Sequence, residues 1–421
     1  MGWPKFPVTV CCAAGLFACG GSGLALAQDG SAFDNPDILR DGYKVDWVPA
    51  NAVIMGEEPG SQNGLPGKLD WQLSLRGAYQ YDDTGSHYQA LAVPSASLTR
   101  AYARGSLSAA AEAELSRLDS ESLRLSALRA SIAGDYRLDS LTSATASLSL
   151  SRAQDSILDA AADVLDTPIV TSGAADGSLT RQFGKLSLTL RGSLGRSVYG
   201  PTTLVGGLER DNAYRSSTWF GAGLRAGWQA TPIVTVFADA DLQRSLYDGA
   251  SSSVGVRTDG YDTALRLGVS GKWQDRLEAE VSGGLGFVRY DEASLGSART
   301  VLYDAALTWR PDETVAIRGG FATTFVPPGD TVAETRVEYA ATLDGSYEVN
   351  SWLALRASAA WSQVRNDAGG TDTSYGFGAG ADYTLNRHTT LNADYAFAHT
   401  EEAPDPARDA HRITLGVTFK R

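Results

Sequence analysis

The sequence predicts an all-β fold: a closed antiparallel transmembrane β-barrel in which about 18 strands follow one another as an up-and-down meander. Three observations predict it. From Lys68 onward, long segments alternate apolar and polar side chains, short and long connections take turns, and aromatic residues gather where the apolar faces end. A period of two indicates β-strands. Segments of ~10–14 residues exceed the ~5–6 of soluble sheets but suit a tilted bilayer crossing of ~9–11, so we expect the apolar faces to meet lipid.

Residues 1–27 have the features of a secretory signal peptide. Lys5 belongs to a short cationic start, a mostly apolar stretch follows, and Ala25 and Ala27 supply the small residues before the predicted cleavage site. A membrane anchor and a lipoprotein signal ending at Cys19 are the alternatives. The signal segment contains all three cysteines of the chain: Cys11, Cys12 and Cys19. A mature chain without cysteine excludes disulfides and thiolate catalysis.

The composition narrows the possible partners. The chain has 36 basic and 49 acidic residues, a net charge of −13, which becomes −14 once the signal peptide and its one lysine are removed. Nucleic-acid binding needs a basic face, so we expect no nucleic-acid partner. After residue 27 no apolar run approaches the ~20 residues of a membrane helix. Residues 28–67 are polar, without periodicity, and are predicted to form an N-terminal periplasmic or plug-like extension ahead of the barrel at 68–421.

The first half of the predicted barrel begins with a clear strand. Residues 69–81 alternate from Leu69 to Tyr81, with polar side chains on the other face. The segment 92–118 is less regular, because its Ala-rich stretch SLSAAAEAEL also suits a helix; its alternation favours a strand. Residues 186–194 then place four leucines on one face and Ser, Thr and Arg on the other.

The second half repeats the pattern. Residues 220–228 and 234–242 form one predicted hairpin, and residues 261–273 and 277–287 form the next. The last strand alternates from Ile413 to Phe419. An even number of such strands lets an antiparallel meander close on itself, as lipid requires of every backbone hydrogen-bonding group.

The connections alternate in length, as they do in outer-membrane barrels with tight periplasmic turns and longer outer loops. The predicted tight turns are Gly184-Lys185, Thr231-Pro232, Asp275-Arg276, Pro311-Asp312, Asn350-Ser351 and Asn386-Arg387. The predicted longer connections are 153–170, 199–211, 246–255, 291–298, 365–371 and 400–408.

The polar faces predict the lining of a channel. With about 18 strands the interior is too wide for side chains to fill, so an aqueous lumen is expected. Both charge signs occur on these faces, which predicts no extreme ion selectivity. The predicted lumen-lining residues are Arg76, Arg191, Arg225, Asp239, Asp241, Arg266, Lys272, Glu278, Glu280, Asp304, Arg310, Arg318, Arg336, Glu338, Arg356, Asp382, Asp394 and Arg412.

Aromatic side chains predict two girdles at the two membrane interfaces. The predicted girdle residues near short turns are Trp228, Trp273, Trp309, Tyr347, Trp352 and Tyr383, and those toward the other end are Phe287, Phe321, Trp361, Phe377 and Tyr395. Phe419 closes the last strand and is the candidate C-terminal signal for barrel assembly. Lys420-Arg421 follow it, which departs from a terminal aromatic residue.

Several motifs could carry chemistry, and none of them predicts catalysis, a cofactor or a metal site. The glycines Gly376, Gly378 and Gly380 lie on one face of a predicted strand, where close packing or lumen space explains them. Asp239-x-Asp241 and Glu278-x-Glu280 pair carboxylates on a strand face, and lumen lining explains them better than acid–base work. The loop between His399 and His411, with Glu401, Glu402, Asp405 and Asp409, is a candidate cation site and is better explained as a solvated acidic loop. We expect no enzyme, cofactor or metal site.

The signal segment, the hairpins from Lys68 to Arg421 and units such as FGKLSLTLRGSLGRSVYG resemble Gram-negative outer-membrane β-barrel proteins of the putative β-barrel porin 2 type. The resemblance implies a channel in the cell outer membrane. Its expected partners are outer-membrane lipid and the β-barrel assembly machinery. Some members of the group are associated with exopolysaccharide export, so periplasmic export components are partners under that hypothesis.

Three hypotheses for function follow. The favoured one is a porin-like channel for passive passage of small hydrophilic solutes. The alternatives are a conduit for exopolysaccharide export and a non-conducting adhesion or scaffold barrel, closed by residues 28–67 or by folded loops.

Overall fold

The computed structural model describes residues 67–82, 85–119, 122–154, 164–251, 253–274, 276–328, 334–365, 371–401 and 407–421. The predicted signal peptide and the predicted N-terminal extension lie outside the described residues, except for Gly67. In the described ranges no helix combines the length and apolar character needed to span a membrane.

Eighteen long strands make up the barrel in the described residues. They are β1 Lys68–Asp82, β2 Gly85–Tyr102, β3 Gly105–Leu118, β4 Arg124–Arg137, β5 Thr142–Gln154, β7 Ile169–Phe183, β8 Leu186–Tyr199, β11 Ser217–Gln229, β12 Val234–Tyr247, β13 Gly260–Trp273, β14 Leu277–Tyr290, β15 Ser297–Trp309, β16 Val315–Val326, β17 Arg336–Asn350, β18 Leu353–Arg365, β19 Thr371–Asn386, β20 Thr389–Glu401 and β21 Arg408–Lys420. Three short strands, β6 Val164–Asp166, β9 Thr202–Leu204 and β10 Glu209–Arg210, form a separate small sheet from two connections. Two 3-10 helices, Ala213–Arg215 and Ala293–Leu295, lie in the connections.

The barrel closes between the first and last strands. Each barrel strand pairs antiparallel with the barrel strand before and after it along the chain. β1 also pairs with β21, from Gln72 opposite Lys420 to Asp82 opposite Ala410. The predicted fold class is therefore confirmed: an 18-stranded antiparallel barrel. Closure gives strand backbones partners on both sides, which a sheet in lipid needs.

Turn chemistry ends the strands at one rim. Asp312 Oδ1 accepts hydrogen bonds from the backbone N–H groups of Thr314 at 2.8 Å and Val315 at 3.0 Å. Asn350 Oδ1 accepts two more, from the N–H groups of Trp352 and of Leu353, the first residue of β18. Such Asx contacts stabilise tight turns. We call this end the short-turn rim, and both ends of the barrel segment of the chain lie there. Of the predicted tight turn at 275–276, Asp275 is outside the described residues.

The opposite rim holds the longer connections, including 155–168, 200–216 and 248–259, although the first hairpin there is joined by residues 83–84 alone. The Ala-rich stretch within 92–118 is the strand β3, not a helix, and a bulge between Glu114 and Leu115 shifts its register with β4. We call this end the long-loop rim.

Side chains alternate between two environments along each strand. On β13, Leu267 is 70% exposed, whereas its neighbour Arg266 is 7% exposed. Leu265 and Val269 are exposed with Leu267. In an isolated barrel such apolar exposure marks the outer face, where lipid would take the place of water. The polar set then faces inward.

Candidate channel lumen

Ion pairs that reach over intervening strands identify the inward face. Arg191 on β8 contacts both Asp239 and Asp241 on β12, although β11 lies between the two strands. Arg225 on β11 contacts Glu280 on β14 at 2.5 Å, across β12 and β13. Side chains converge in this way on the concave side of a curved sheet, so these charges line the interior of the barrel.

Arg191 and Arg266 hold the first inward cluster together. Arg191 Nη2 lies 2.7 Å from Asp241 Oδ1, and Arg266 Nη1 lies 3.3 Å from the other oxygen of Asp241. Arg266 Nε also donates to Asp304 Oδ2 on β15 at 2.6 Å. The Asp239 side chain is 2% exposed. The cluster therefore ties four strands together through alternating charges, and each buried carboxylate has a cation beside it.

A glycine makes room for this cluster. A Cβ on Gly223 of β11 would lie 2.5 Å from Asp241 Oδ1 and 2.9 Å from Arg191 Nε. Any larger residue would block the path of the guanidinium across β11. Gly380 has the same role on β19, where a Cβ would lie 2.3 Å from Asp394 Oδ1. The sequence predicts close packing or lumen space for Gly380, and it does not single out Gly223.

A second inward cluster centres on Arg356 of β18. Its Nη2 donates to Asp394 Oδ1 at 2.7 Å and to Asp382 Oδ1 at 3.1 Å. Asn392 donates to Asp382 at 2.6 Å, and Thr418 donates to Asn392 at 2.9 Å. The charged wall thus continues into a hydrogen-bonded polar network that reaches β21.

Further pairs lie elsewhere on the inner wall. Arg336 Nη1 donates to Asp372 Oδ2 at 3.1 Å, and Arg412 donates to Gln89 Oε1 at 2.7 Å. Arg129 and Glu112, outside the predicted set, contact at 2.9 Å between β4 and β3. Of the eighteen predicted lumen residues, all but Lys272 are buried or half-buried; Lys272 is exposed at the short-turn rim. The sequence missed Asp372, Arg129 and Glu112.

Hydroxyl pairs join the inward faces of β5, β7 and β8, where Arg191 of β8 also lies. Thr145 and Ser178 share a hydrogen bond of 2.8 Å, and Ser151 and Ser172 share one of 2.7 Å. A third such pair joins Thr180 to Thr189 at 2.9 Å. The lumen is therefore lined by ion pairs and by hydroxyls, both of which are groups that solvate polar solutes.

Bulky apolar side chains also point inward. Phe237 is 3% exposed, and a Cβ on Gly268 would lie 2.3 Å from its ring. The Arg225 guanidinium lies 3.5 Å from the centre of the same ring. Trp219 is 6% exposed, with its ring over Gly195. The signal available in the sequence was a large residue on the polar face of its strand, opposite glycines on the neighbouring strand.

One long connection contacts the inner wall at the long-loop rim. The guanidinium of Arg215 lies 4.3 Å from the ring centre of Tyr199, which is 7% exposed at the end of β8. Ser216 Oγ accepts a hydrogen bond of 3.0 Å from the Tyr199 N–H. Asn212 donates to Gly200 O at 2.7 Å within the same connection. Residues 200–216 are thereby held at the entrance of the barrel.

The predicted girdle residues near the short-turn rim lie on the exposed face of their strands. The six near the short-turn rim, Trp228, Trp273, Trp309, Tyr347, Trp352 and Tyr383, are all exposed. Trp352 and Tyr383 meet edge to face, with ring centres 5.1 Å apart.

The predicted set toward the long-loop rim is less uniform. Phe287 and Phe377 are exposed, whereas Trp361, Tyr395 and Phe321 are half-buried. Phe377 and Tyr395 have ring centres 6.1 Å apart, and Phe321 lies near the middle of β16, 6.5 Å from the Tyr339 ring. Phe419, the candidate assembly signal, is 40% exposed beside the short-turn rim.

The histidine loop does not assemble a metal centre in its described part. His399 Nδ1 contacts Asp409 Oδ1 at 2.6 Å, and its ring stacks on Tyr375 at 4.6 Å. His411 Nδ1 contacts the Tyr395 hydroxyl at 3.0 Å. Glu402 and Asp405 lie outside the described residues. No group of three or more His, Cys, Asp or Glu placed to hold a metal ion occurs in the part of the chain that the structure describes.

Three solved structures show a general likeness to the chain. OccK2 (OpdF) of Pseudomonas aeruginosa, solved in complex with glucuronate, is 10% identical, with a TM-score of 0.43, and the match covers 84% of this chain and 98% of that one. OpdK of the same organism is 12% identical, with a TM-score of 0.43 and coverage of 84% and 99%. OccAB4 of Acinetobacter baumannii is 11% identical, with a TM-score of 0.42 and coverage of 86% and 100%.

No curated protein sequence matches the chain. The family model described as putative beta-barrel porin 2 matches residues 77–421, which is nearly the whole barrel. The chain therefore belongs to the putative beta-barrel porin 2 family.

Proposed function

We propose that the protein is an outer-membrane channel for the passive passage of small hydrophilic solutes. The observation that carries the proposal is the lining of the closed barrel: inward ion pairs such as Arg225–Glu280 together with inward hydroxyl pairs such as Thr145–Ser178. Membership of a porin family and the apolar outer face support the same reading.

The lining favours polar solutes of low net charge. In each main cluster an arginine lies between two carboxylates, as Arg356 lies between Asp382 and Asp394. Paired charges largely cancel at a distance, so they exert a weaker field on a passing ion than an unpaired ring of one sign would. We therefore propose weak ion selectivity, with the hydroxyls of β5, β7 and β8 as hydrogen-bond partners for neutral solutes.

The cellular setting belongs to the same proposal. A secretory signal at 1–27, outer-membrane lipid around the apolar face and recognition of Phe419 by the β-barrel assembly machinery would bring the chain to the outer membrane of a Gram-negative cell. We propose no catalytic role.

Two alternatives predict different behaviour. No contact in the described part of the lumen favours polysaccharide export. A non-conducting adhesion or scaffold barrel would have the same outer face but would pass no current. Conductance therefore separates the favoured function from the scaffold.

The test uses the purified mature chain in planar lipid bilayers and in sugar-loaded liposomes. We expect stepwise conductance without any partner protein, and liposome swelling that falls as the sugar becomes larger. Heat-modifiable gel migration would first establish that the barrel is folded. A folded barrel that passes neither ions nor sugars would refute the channel. A variant lacking residues 28–66 would then test whether the N-terminal extension blocks it.

A further inference from the structure

The hydrogen-bonded ladder between β15 and β16 is short. It joins five residue pairs, from Ala305 opposite Phe321 to Trp309 opposite Ile317, although both strands are described in full. The neighbouring ladders, β14–β15 and β16–β17, join 13 and 12 pairs. In the same register, residues 300–304 of β15 lie opposite residues 322–326 of β16 but outside this ladder. We call this stretch the seam.

One side chain bridges the seam. The Thr323 hydroxyl accepts a hydrogen bond from the Tyr303 N–H at 3.2 Å and donates one to the Tyr303 carbonyl at 3.1 Å. Thr323 is 1% exposed. A single hydroxyl thus takes the place of a backbone pair, and it is a bridge that a change of side-chain rotamer would break.

Above Thr323, the end of β16 lies on the inner side of the wall. Gly286 of β14 belongs to the inward set, and a Cβ on it would lie 2.7 Å from the Phe325 ring and 3.0 Å from Leu302. The hydroxyl of Tyr290, another inward residue of β14, lies 2.7 Å from Thr335 Oγ1 just before β17. The described end of β16 is therefore displaced toward the interior of the barrel, with Phe325 behind the seam.

Both sides of the seam are apolar. On the outer face Val301 and Tyr303 are 44% and 53% exposed. Arg299 follows them, opposite the predicted girdle residue Phe287 on β14. On the inner face Leu302 is 2% exposed and Val288 is 3% exposed. Unpaired strand backbone is unfavourable in hydrocarbon, so a seam at this depth is a feature that needs a function to explain it.

We propose that the seam is a lateral passage through which a small molecule with a polar head and an apolar tail moves from the lumen into the outer leaflet. The inward patch of Leu302, Val288 and Phe325 receives the tail. Release of the Thr323 hydroxyl from Tyr303, with movement of Phe325, opens the wall. The passage rests on the proposed channel, because the molecule first enters the lumen from the long-loop rim.

A reversible lock across the seam tests the passage. No cysteine follows Cys19 in the sequence, so the double variant Tyr303→Cys/Thr323→Cys introduces one disulfide without competitors in the barrel. Uptake of radiolabelled dodecanoate, as the tailed probe, and of glucose, as the hydrophilic probe, is measured in Gram-negative cells lacking their major porins. We expect the oxidised variant to lose dodecanoate uptake while keeping glucose uptake, and to recover dodecanoate uptake after reduction.

A second variant tests the same passage without a lock. Phe325→Ala should raise dodecanoate uptake above the wild-type level, whereas Phe321→Ala, in the paired part of β16, should not. Dodecanoate uptake that is equal in the oxidised and reduced double variant would overturn the proposal. So would uptake by the wild type that is no greater than in cells without the barrel, or a joint loss of both probes on oxidation, because that loss would place both in the central lumen. Absence of glucose uptake and of bilayer current in the wild type would instead refute the channel itself.

Discussion

Arg191 and Asp241 meet across an intervening strand, with 2.7 Å between Nη2 and Oδ1, because Gly223 on that strand has no side chain to keep them apart. A glycine in the middle of a strand normally weakens a sheet. Here Gly223 makes room for an ion pair that balances charge in the lumen. The same arrangement recurs where Arg356 reaches Asp394 beside Gly380. Inward glycines are therefore part of the lining.

Gly223→Leu should separate Arg191 from its two aspartates. Arg191 and Asp239 are largely buried, so breaking their ion pair should lower the free energy of unfolding of the barrel by about 3 kcal/mol. Urea unfolding of the barrel in lipid vesicles measures the change. Gly192→Leu is the matched control, because Gly192 is exposed on the outer face and a Cβ there meets nothing within 4 Å. Equal losses in the two variants would contradict the bridging role of Gly223.

Neighbouring residues on β13 should respond oppositely to charge. Leu267→Arg places a cation on the lipid face near mid-membrane, which costs about 2–4 kcal/mol, and we expect a barrel that fails to assemble. Arg266→Gln removes an inward cation but keeps a donor for Asp304, so it should assemble and make the channel more selective for cations. Heat-modifiable migration and reversal potentials measure the two effects. The opposite outcome would mean that the strand faces inward with its other set of side chains.

The strands, and the face on which each side chain lies, could be predicted from the sequence. Side chains alternate between the two faces of a strand, so residues two positions apart share a face. On β13 the alternation of Leu265, Arg266 and Leu267 is sufficient. The same holds for the turns, where Asp312 and Asn350 carry the Asx contacts. Residues close together in the chain determine these features, so a single sequence is enough to predict them.

The partners of the inward charges could not be predicted in this way. Arg225 meets Glu280 rather than the nearer Asp239 opposite it, because curvature and register bring β14 within reach. Inward Phe237 and the bridge from Thr323 to Tyr303 likewise depend on which strands lie side by side and where a ladder ends. These are long-range properties of the closed barrel.

The ion pair between Arg244 and Asp291 at the long-loop rim should persist under mildly acidic conditions. The Arg244 guanidinium, hydrogen-bonded to Asp291, holds the pKa of that exposed carboxyl below its ordinary value of 3.8. Because the pKa is lowered, this ion pair is fully formed above pH 3.8 and is lost as the pH falls through the lowered pKa. A spin label at Ser294 should therefore keep its mobility from pH 7 to about pH 4 and become more mobile below that. In Asp291→Asn the label should be mobile over the whole pH range. A wild-type profile in this variant would rule out a role for the Arg244–Asp291 ion pair.

Phe237 should stabilise the barrel from the inside. Its ring fills the space over Gly268 and supports the Arg225 guanidinium at 3.5 Å, so Phe237→Ala should leave a cavity and cost about 3 kcal/mol. Phe220→Ala is the matched control, because Phe220 is 50% exposed on the outer face and lipid chains would fill the space that its ring leaves. Urea unfolding in vesicles compares the two, and bilayer recordings follow the lumen, where Arg225 would lose its support and the conductance of the Phe237 variant should change. A larger stability loss for Phe220→Ala would place Phe237 outside the packed wall and contradict the facing of β12.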